Sequence, residues 1–207
     1  MLNKELEIYT VELITEADFG CEETGRKEPY ALLRLKAFSE NAMPEKYIEL
    51  PESFIAKQGI AEGKKVCISD NGEANRYIRV VAAVIIDDKD GVKKIFATAR
   101  GYGAYKGWWE FPGGKIEAGE TPREALVREI AEELTARIDA GELLKTIEYD
   151  YPEFHLSMDC FLARVVSGRL ELKEAESAKW LTKDTIDSVK WLPANLEIIE
   201  LIKEKLQ

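Results

Sequence analysis

The first third of the chain alternates short apolar runs with polar, turn-forming segments. Runs of this kind, rich in β-branched and aromatic residues, predict strands rather than helices. The segment between Pro51 and Gly59 differs, because its composition suits one short helix that starts after the proline and stops at the glycine. The predicted strands are Glu5–Leu13, Tyr30–Phe38, Tyr47–Leu50 and Lys65–Ile68.

A polar stretch from Ser69 to Asn75 lacks large apolar residues and is the best linker candidate. We therefore expect a small β-rich accessory domain over residues 1–75 and a second domain over residues 76–207. The second domain opens with Tyr77–Ile86, a β-branched run typical of a buried strand, and an Asp-Gly turn at Gly91 predicts a hairpin. Later strands are predicted at Val92–Ala99, Leu143–Asp150, Phe154–Val166 and around Trp180, with a final amphipathic helix at Leu196–Leu206. Strands and helices in this order indicate an α+β fold in which helices pack on a sheet.

A helix start is encoded at Thr121. This threonine suits the N-cap, Pro122 suits the first helical position, and Glu124 completes a capping box. At about 100° per residue, the helix that follows carries an apolar stripe. The stripe consists of Leu126, Val127, Ile130 and Leu134.

Three glutamates of the same helix fall at positions i, i+3 and i+4, so they are neighbours on another face. They are Glu129, Glu132 and Glu133. Carboxylates this close repel one another, and a divalent cation would relieve the repulsion. Oxygen ligands favour a hard ion, Mg²⁺ or Mn²⁺. The alternative is a solvated acidic face with Arg128 as its local ion-pair partner.

The loop before the helix supplies Gly113 and Gly114, which let the backbone approach a ligand without a Cβ in the way. Gly114, Glu120 and the run Arg128-Glu129-Ile130-Ala131-Glu132-Glu133 together resemble the Nudix box, Gly-x5-Glu-x7-Arg-Glu-apolar-x-Glu-Glu-x-Gly-apolar. One position departs, because Thr135 stands where the box has its closing glycine. This departure puts the local backbone in doubt more than the activity. From Tyr77 to its end, the chain is similar to the MutT and CTP-pyrophosphohydrolase branch of the Nudix hydrolases.

This resemblance implies an α/β/α sandwich in which the box forms a loop, a helix and a loop. It also implies hydrolysis of nucleoside triphosphates to a monophosphate and pyrophosphate. Mg²⁺ would be held by Glu129, Glu132 and Glu133 with help from the Gly113 carbonyl. Arg128 would orient the glutamates, and either Glu129 or Glu174 would be the general base. The enzyme alternatives are CTP, a modified dCTP or a nucleoside diphosphate derivative as substrate. The non-enzyme alternative is a nucleotide-sensing regulator with the N-terminal module as its interface.

Several further positions are candidates for substrate binding. Arg100 matches a phosphate-contacting arginine of the branch, although a surface charge at a strand end is the simpler role. Glu110 and Phe111 belong to the loop that brings backbone towards the ligand. Lys115 follows the glycine pair and could screen leaving-group charge, or it is merely solvated.

Asn195 matches the asparagine with which MutT-type proteins read a purine edge. Its amide offers a donor and an acceptor together, which suits O6 and N7–H of an oxidised guanine. A helix N-cap is the other role, since an amphipathic helix follows. Phe154 replaces an arginine of MutT-type proteins, so selectivity for 8-oxoguanine cannot be assumed. Trp108 and Trp109 either stack on a base or anchor the core.

Composition and charge restrict the partners. The chain has 207 residues, with 29 Lys and Arg against 39 Asp and Glu, and its formal net charge of −10 would repel a nucleic-acid backbone. The longest apolar run, Val80–Ile86, is far shorter than the ~20 residues that span a bilayer. An odd cysteine count (Cys21, Cys67, Cys160) and a single histidine exclude a His/Cys zinc cluster and favour a reducing compartment. We therefore expect a cytoplasmic protein with a nucleotide substrate, no membrane and no stable nucleic-acid partner. A homodimer is left open.

Overall fold

A computed structural model of the chain describes residues 6–17, 28–68, 74–88, 90–173 and 175–207. In chain order the elements are β1 (Glu7–Glu16), β2 (Tyr30–Ala37), β3 (Glu45–Pro51), α1 (Glu52–Gln58), β4 (Lys65–Ile68), β5 (Ala74–Asp87), β6 (Lys94–Ala99), β7 (Trp109–Glu110), α2 (Pro122–Leu134), β8 (Arg137–Tyr151), β9 (Phe154–Ser167), β10 (Ser177–Leu181), a 3₁₀ turn (Ile186–Ser188) and α3 (Pro193–Lys205). Among the described helices, none is long and apolar enough to cross a membrane.

The chain divides into two compact units. The first runs to Ile78 and includes Asp150–Leu156, and the second consists of Arg79–Tyr149 and Ser157–Gln207. The division thus falls three residues after the expected boundary and assigns the turn end of the β8–β9 hairpin to the first unit. That each unit is an independent domain stays a prediction.

The first unit is β-rich. Antiparallel ladders join β1 to β2, β2 to β3 and β1 to β4, and β4 also pairs with the start of β5. The predicted short helix is confirmed as α1, and Gly59 ends it in the left-handed conformation. The linker expectation is wrong at its C-terminal end, because the fully buried Ala74 already pairs with Ile68. The rest of that stretch, residues 69–73, lies outside the described residues.

In the second unit, β6 lies between β5 and β10 and also pairs with β7, while β9 pairs with β5 and β8. One face of this sheet packs against α2 through a core cluster. The α2 members of the cluster are Ala125, Leu126, Ile130 and Leu134, which meet Val81, Ala83 and Ile85 of β5, Phe96 of β6, and Phe161 and Ala163 of β9. Six consecutive residues of β5, from Val81 to Ile86, are buried, so both faces of this strand are covered. The α+β prediction is confirmed.

The structure revises one detail of side-chain placement. Val127 was expected in the apolar stripe but is 36% exposed, and Ala125 packs in the core instead. The structure also shows that polar residues of β9, among them Ser157 and Asp159, are buried. Each finds a polar partner: Ser157 donates a hydrogen bond to Glu148, and Asp159 accepts from both Thr146 and Arg79. These hydrogen bonds offset the free-energy cost of burying the polar side chains.

Candidate active site

The loop before α2 is fixed against β5 by backbone hydrogen bonds. The amide of Ala83 donates to the Pro112 carbonyl and the amide of Val81 donates to the Gly114 carbonyl, both at 2.8 Å. Gly113, between these two carbonyls, has a φ of +150°, and a Cβ there would collide with the Val81 carbonyl. Only glycine therefore fits this close approach of loop and strand.

Gly114 makes room for a carboxylate. A Cβ at this position would collide with all three atoms of the Glu129 carboxylate group. The absence of a side chain at Gly114 thus lets Glu129, at the middle of α2, lie directly over the loop. The box therefore combines Gly114 with Glu129, because a side chain at position 114 would occupy the space of the carboxylate.

Arg128 connects the loop and the helix. Its Nε and Nη2 atoms donate to the two carboxylate oxygens of Glu120 at 2.6 and 2.9 Å. Its Nη1 donates to Glu129 at 3.0 Å and Glu132 at 3.1 Å, and Nη2 also donates to the Lys115 carbonyl at 3.0 Å. One guanidinium therefore uses its planar fork to hold three carboxylates and a loop carbonyl.

The charges in this network reinforce one another. Hydrogen bonds from Arg128, followed by one from the Glu117 amide, lower the pKa of Glu120 to about 2. The same bonds raise the pKa of Arg128, so both groups are ionised at neutral pH. Arg128 consequently acts as a fixed positive charge beside Glu129 and Glu132.

The two ends of α2 are built differently. At the start, Thr121 and Glu124 form the predicted capping box, and Pro122 occupies the first turn. At the C-terminal end of the helix, Thr135 adopts the left-handed conformation with a φ of +55°. Among the described residues, no other non-glycine residue has a positive φ. The backbone thus keeps the shape that a glycine would give, and the β-branched Thr135 is strained there.

An open cleft of about 450 Å³, partly continuous with solvent, lies beside the box. It brings Glu133 of α2 together with Gly113 of the loop and with Arg100 and Glu110 of the opposite wall. The lining residues are Thr98, Arg100, Gly101, Tyr102, Glu110, Phe111, Pro112, Gly113, Glu133, Leu134 and Ala175. Five candidate site residues therefore share one cleft.

Arg100 and Glu110 form an ion pair that the sequence did not suggest. Nε and Nη2 of Arg100 donate to the two oxygens of Glu110 at 3.0 and 2.7 Å. The pairing follows from the ladder, because Thr98 lies opposite Glu110 and Ala99 opposite Trp109. No local signal in the sequence reveals the register between β6 and β7.

Asn195 is not the N-cap of α3, so that expectation is wrong. The helix starts at Pro193 with Leu192 as N-cap, and Asn195 is the third residue of its first turn. Asn195 is 4% exposed, and its Oδ1 atom accepts a hydrogen bond from the Phe111 amide at 3.1 Å. It therefore ties α3 to the loop residue that lines the cleft. Phe111 itself packs its ring on Trp191, with 4.7 Å between centroids.

The three box glutamates do not converge on one point. Glu129 and Glu132 are drawn to Arg128, whereas Glu133 faces the cleft. Across the described ranges, no group of three or more His, Cys, Asp or Glu side chains is arranged to hold a metal. The donor set nevertheless fits a hard divalent cation, since it consists of carboxylate and carbonyl oxygens and Gly114 leaves space for one of them. The side chain of Lys115 is exposed, and Glu174 lies outside the described residues.

Comparison with known proteins agrees with this geometry. The NUDIX domain family matches residues 76–202, which is more than half of the chain. The 8-oxo-dGTP diphosphatase of Escherichia coli K12 is 34% identical over 129 residues, covering 62% of this chain and 98% of that protein. The CTP pyrophosphohydrolase of the same strain is 30% identical over 125 residues, covering 60% and 90%.

Solved structures give the same result. The solution structure of the E. coli ORF135 protein has 28% identity and a TM-score of 0.54, covering 63% of this chain and 91% of that one. A MutT NUDIX hydrolase from Burkholderia pseudomallei has 24% identity and a TM-score of 0.55, covering 61% and 98%, and shares the fold. The chain belongs to the NUDIX domain family and is a hydrolase of that class, whose members generally use divalent metal ions.

Proposed function

We propose that this enzyme hydrolyses (deoxy)nucleoside triphosphates to the monophosphate and pyrophosphate, with Mg²⁺ or Mn²⁺ as cofactor. The observation that carries the proposal is the juxtaposition of Glu129 over Gly114 with a cleft lined by Gly113 and Glu133. The 8-oxo-dGTP diphosphatase and CTP pyrophosphohydrolase relatives, by their names, act on nucleoside triphosphates.

The cation would be held by Glu129, Glu132, Glu133 and the Gly113 carbonyl, an all-oxygen set. When bound, a divalent ion neutralises phosphate oxygens and lowers the pKa of an attacking water. This would relieve the mutual repulsion of the glutamates. The Arg128 contacts would then keep the carboxylates of Glu129 and Glu132 oriented.

The remaining work falls to the chain's own groups. A carboxylate accepts the proton of the water that attacks a phosphorus of the bridging anhydride, and the pyrophosphate leaves. Glu129 is the first candidate for this base, because Gly114 fixes the position of its carboxylate. Glu174 is the second candidate and stays a sequence prediction.

Substrate positioning is assigned to Arg100, Glu110, Phe111 and Lys115. The Arg100–Glu110 pair presents a rigid guanidinium to the cleft. Phe111 offers backbone, and Lys115 stays at the edge of the loop where leaving-group charge could be screened. Asn195 supports the Phe111 amide, and we assign it the reading of the base edge as well.

Among bases we place oxidised guanine first and cytosine second, following the two relatives. Phe154, which stands where MutT-type proteins have an arginine, argues for testing both. A non-catalytic regulator is not favoured, since the acidic set of the box is complete. The proposal includes a cytoplasmic location, in keeping with the buried Cys160, which forms no disulfide.

The test is pyrophosphate release from a panel of triphosphates that includes 8-oxo-dGTP, dGTP, CTP and dCTP. Each is measured with Mg²⁺, with Mn²⁺ and with a chelator. We expect metal-dependent release of pyrophosphate and nucleoside monophosphate in equal amounts. Release of inorganic phosphate instead, or turnover that persists in chelator, would contradict the proposal.

A further inference from the structure

The wall of the cleft continues outward along one face of β6 and β7. Residues directly opposite each other in an antiparallel pair point to the same face, and successive residues alternate. Since Thr98 lies opposite Glu110 and Ala99 opposite Trp109, Arg100 and Trp108 are on the face of Thr98 and Glu110. The Arg100 amide also donates to the Trp108 carbonyl at 2.9 Å. Trp108 is therefore the next side chain beyond the Arg100–Glu110 pair.

A lysine ammonium lies over the ring of Trp108. The Nζ atom of Lys190 lies 3.8 Å from the centroid of the Trp108 ring, and the Tyr105 ring meets the indole edge-on at 5.2 Å. A lysine over a tryptophan face at this distance is held by a cation–π interaction. The contact therefore favours one position of this exposed ammonium group over others.

The residues that line the cleft carry one positive charge against two negative charges. The charged residues that line the cleft are Arg100, Glu110 and Glu133, and Arg100 is already neutralised by its two bonds to Glu110. Within the described chain, Lys190 forms no ion pair with a carboxylate. Lys190 therefore offers an ammonium with no carboxylate partner among the described residues, beside the ring that follows the Arg100–Glu110 pair along this face.

We propose that Lys190, seated on Trp108, binds the terminal phosphate of the substrate and so makes the site selective for triphosphates over diphosphates. The inference rests on the proposed function, because it extends the same cleft. The ammonium of Lys190 covers the face of the Trp108 ring on which a base would stack. Its positive charge instead attracts an anion such as phosphate. Stacking of a base on Trp108 is the other outcome that the test separates.

The experiment compares Lys190→Gln with Lys179→Gln. Lys179 is a matched control because its Nζ lies 5.0 Å from the ring of Trp109, and Trp109 points to the opposite face. Calorimetric titration measures binding of a non-hydrolysable triphosphate analogue and of the corresponding diphosphate. We expect Lys190→Gln to weaken triphosphate binding ~10- to 100-fold and to leave diphosphate binding within ~2-fold. Lys179→Gln should change neither, and Lys190→Arg should restore most of the loss.

Three results would overturn the inference. Equal triphosphate binding by Lys190→Gln and the wild type removes Lys190 from the site. A Trp108→Ala variant that weakens triphosphate and diphosphate equally, beside a Lys190→Gln variant without effect, assigns Trp108 to the base. A fall in melting temperature with unchanged selectivity would show a structural role alone.

Failure of the proposed function has a different signature. If the wild type releases pyrophosphate from no triphosphate, the catalytic proposal fails. Binding of inorganic tripolyphosphate to the wild type and to Lys190→Gln still tests the lysine in that case. The same affinity in both proteins rejects the phosphate contact, and a ~10-fold or larger difference supports it without any turnover.

Discussion

The two walls of the cleft are assembled in different ways. The box wall, from Gly113 to Thr135, contains its own partners: Gly114 accommodates Glu129, and Arg128 holds Glu120, all within a short stretch of chain. The opposite wall takes Arg100 from the residue after β6 and Glu110 from β7, and Asn195 of α3 bonds the amide of Phe111, which also lines the cleft. The box wall can be recognised from the spacing of its residues in the sequence. The opposite wall is assembled from distant segments, so recognising it requires the strand register and the helix position.

Within the box, some positions determine only the shape of the backbone, and others determine where a carboxylate lies. Where the box departs from its pattern, at Thr135, the backbone still adopts the left-handed conformation. Where the box holds a carboxylate, at Gly114, the residue matches the pattern, and a larger side chain would have to displace the Glu129 carboxylate. Substitutions on the box wall should therefore affect turnover most, and those elsewhere should affect stability or selectivity.

The largest effect is expected from Glu133→Gln. Glu133 faces the cleft beside Gly113, and the substitution keeps its shape while removing one charge from the proposed cation site. We expect turnover to fall about 100-fold or more. The melting temperature should hold or rise slightly, because repulsion from Glu129 one turn away is relieved by a few tenths of a kcal/mol.

The control for this variant is Glu117→Gln, which removes an exposed carboxylate from the same loop. Pyrophosphate release and thermal melting are measured for both variants. Normal turnover in Glu133→Gln would reject its place among the cation ligands.

Gly114→Ala tests the fit between loop and helix. The new methyl group would occupy the position of the Glu129 carboxylate and displace it. A displacement of about 1 Å in a reacting group lowers the rate on the order of 100-fold. We therefore expect kcat to fall by roughly 10- to 100-fold. Gly119→Ala is the comparison, since a Cβ there meets nothing within 4 Å although its φ of +89° makes the change strained. Equal losses of kcat in both variants would show that the contact with the Glu129 carboxylate is not the cause.

Much of the box wall could be predicted from the sequence. The capping box at Thr121 is confirmed, since it depends on residues close in the chain. That Glu129, Glu132 and Glu133 together hold a cation stays a prediction. The ion pair between Arg100 and Glu110 was missed because it depends on the register of β6 and β7. The cap assignment of Asn195 failed for a related reason: Pro193 starts the helix two residues earlier and leaves Asn195 to bond the Phe111 amide. Burial of the polar face of β9 was also missed, because alternation along a strand does not show what covers each face.

Asn195→Ala tests the assembled wall. The Phe111 amide would lose its acceptor in a buried place, which costs about 1–3 kcal/mol of unfolding free energy. If Asn195 also reads the base, kcat/KM should fall more for 8-oxo-dGTP and dGTP than for CTP. Denaturant unfolding and kcat/KM for the three nucleotides are measured together. A destabilised variant with an unaltered ratio between nucleotides would leave Asn195 with the structural role alone.

Thr135→Gly should stabilise the protein. A β-branched residue in the left-handed conformation is strained by about 1 kcal/mol or somewhat more, and glycine removes that strain. The gain is reduced because Thr135 Oγ1 donates a hydrogen bond of 3.4 Å to the Arg169 carbonyl. Thr135→Ala keeps the unfavourable φ and loses the hydroxyl, so it should not stabilise. Turnover should stay near the wild-type value in both, and a lower melting temperature for Thr135→Gly would contradict the assignment of strain.

The smallest effect concerns the pH dependence contributed by Glu120. Arg128 lowers its pKa from an ordinary value of 4.5 to about 2 in the folded protein. A carboxyl whose pKa is depressed by folding adds stability above its unfolded pKa, and that stability is lost as the pH falls from about 4.5 to about 2. In this window the melting temperature of the wild type should therefore fall more steeply than that of Glu120→Gln, which has no group to protonate there. The difference should be small, since solvent and salt screen exposed ion pairs, and it should shrink further in high salt. Parallel melting curves of the two proteins would show that the Arg128–Glu120 pair orients the box without adding pH-dependent stability.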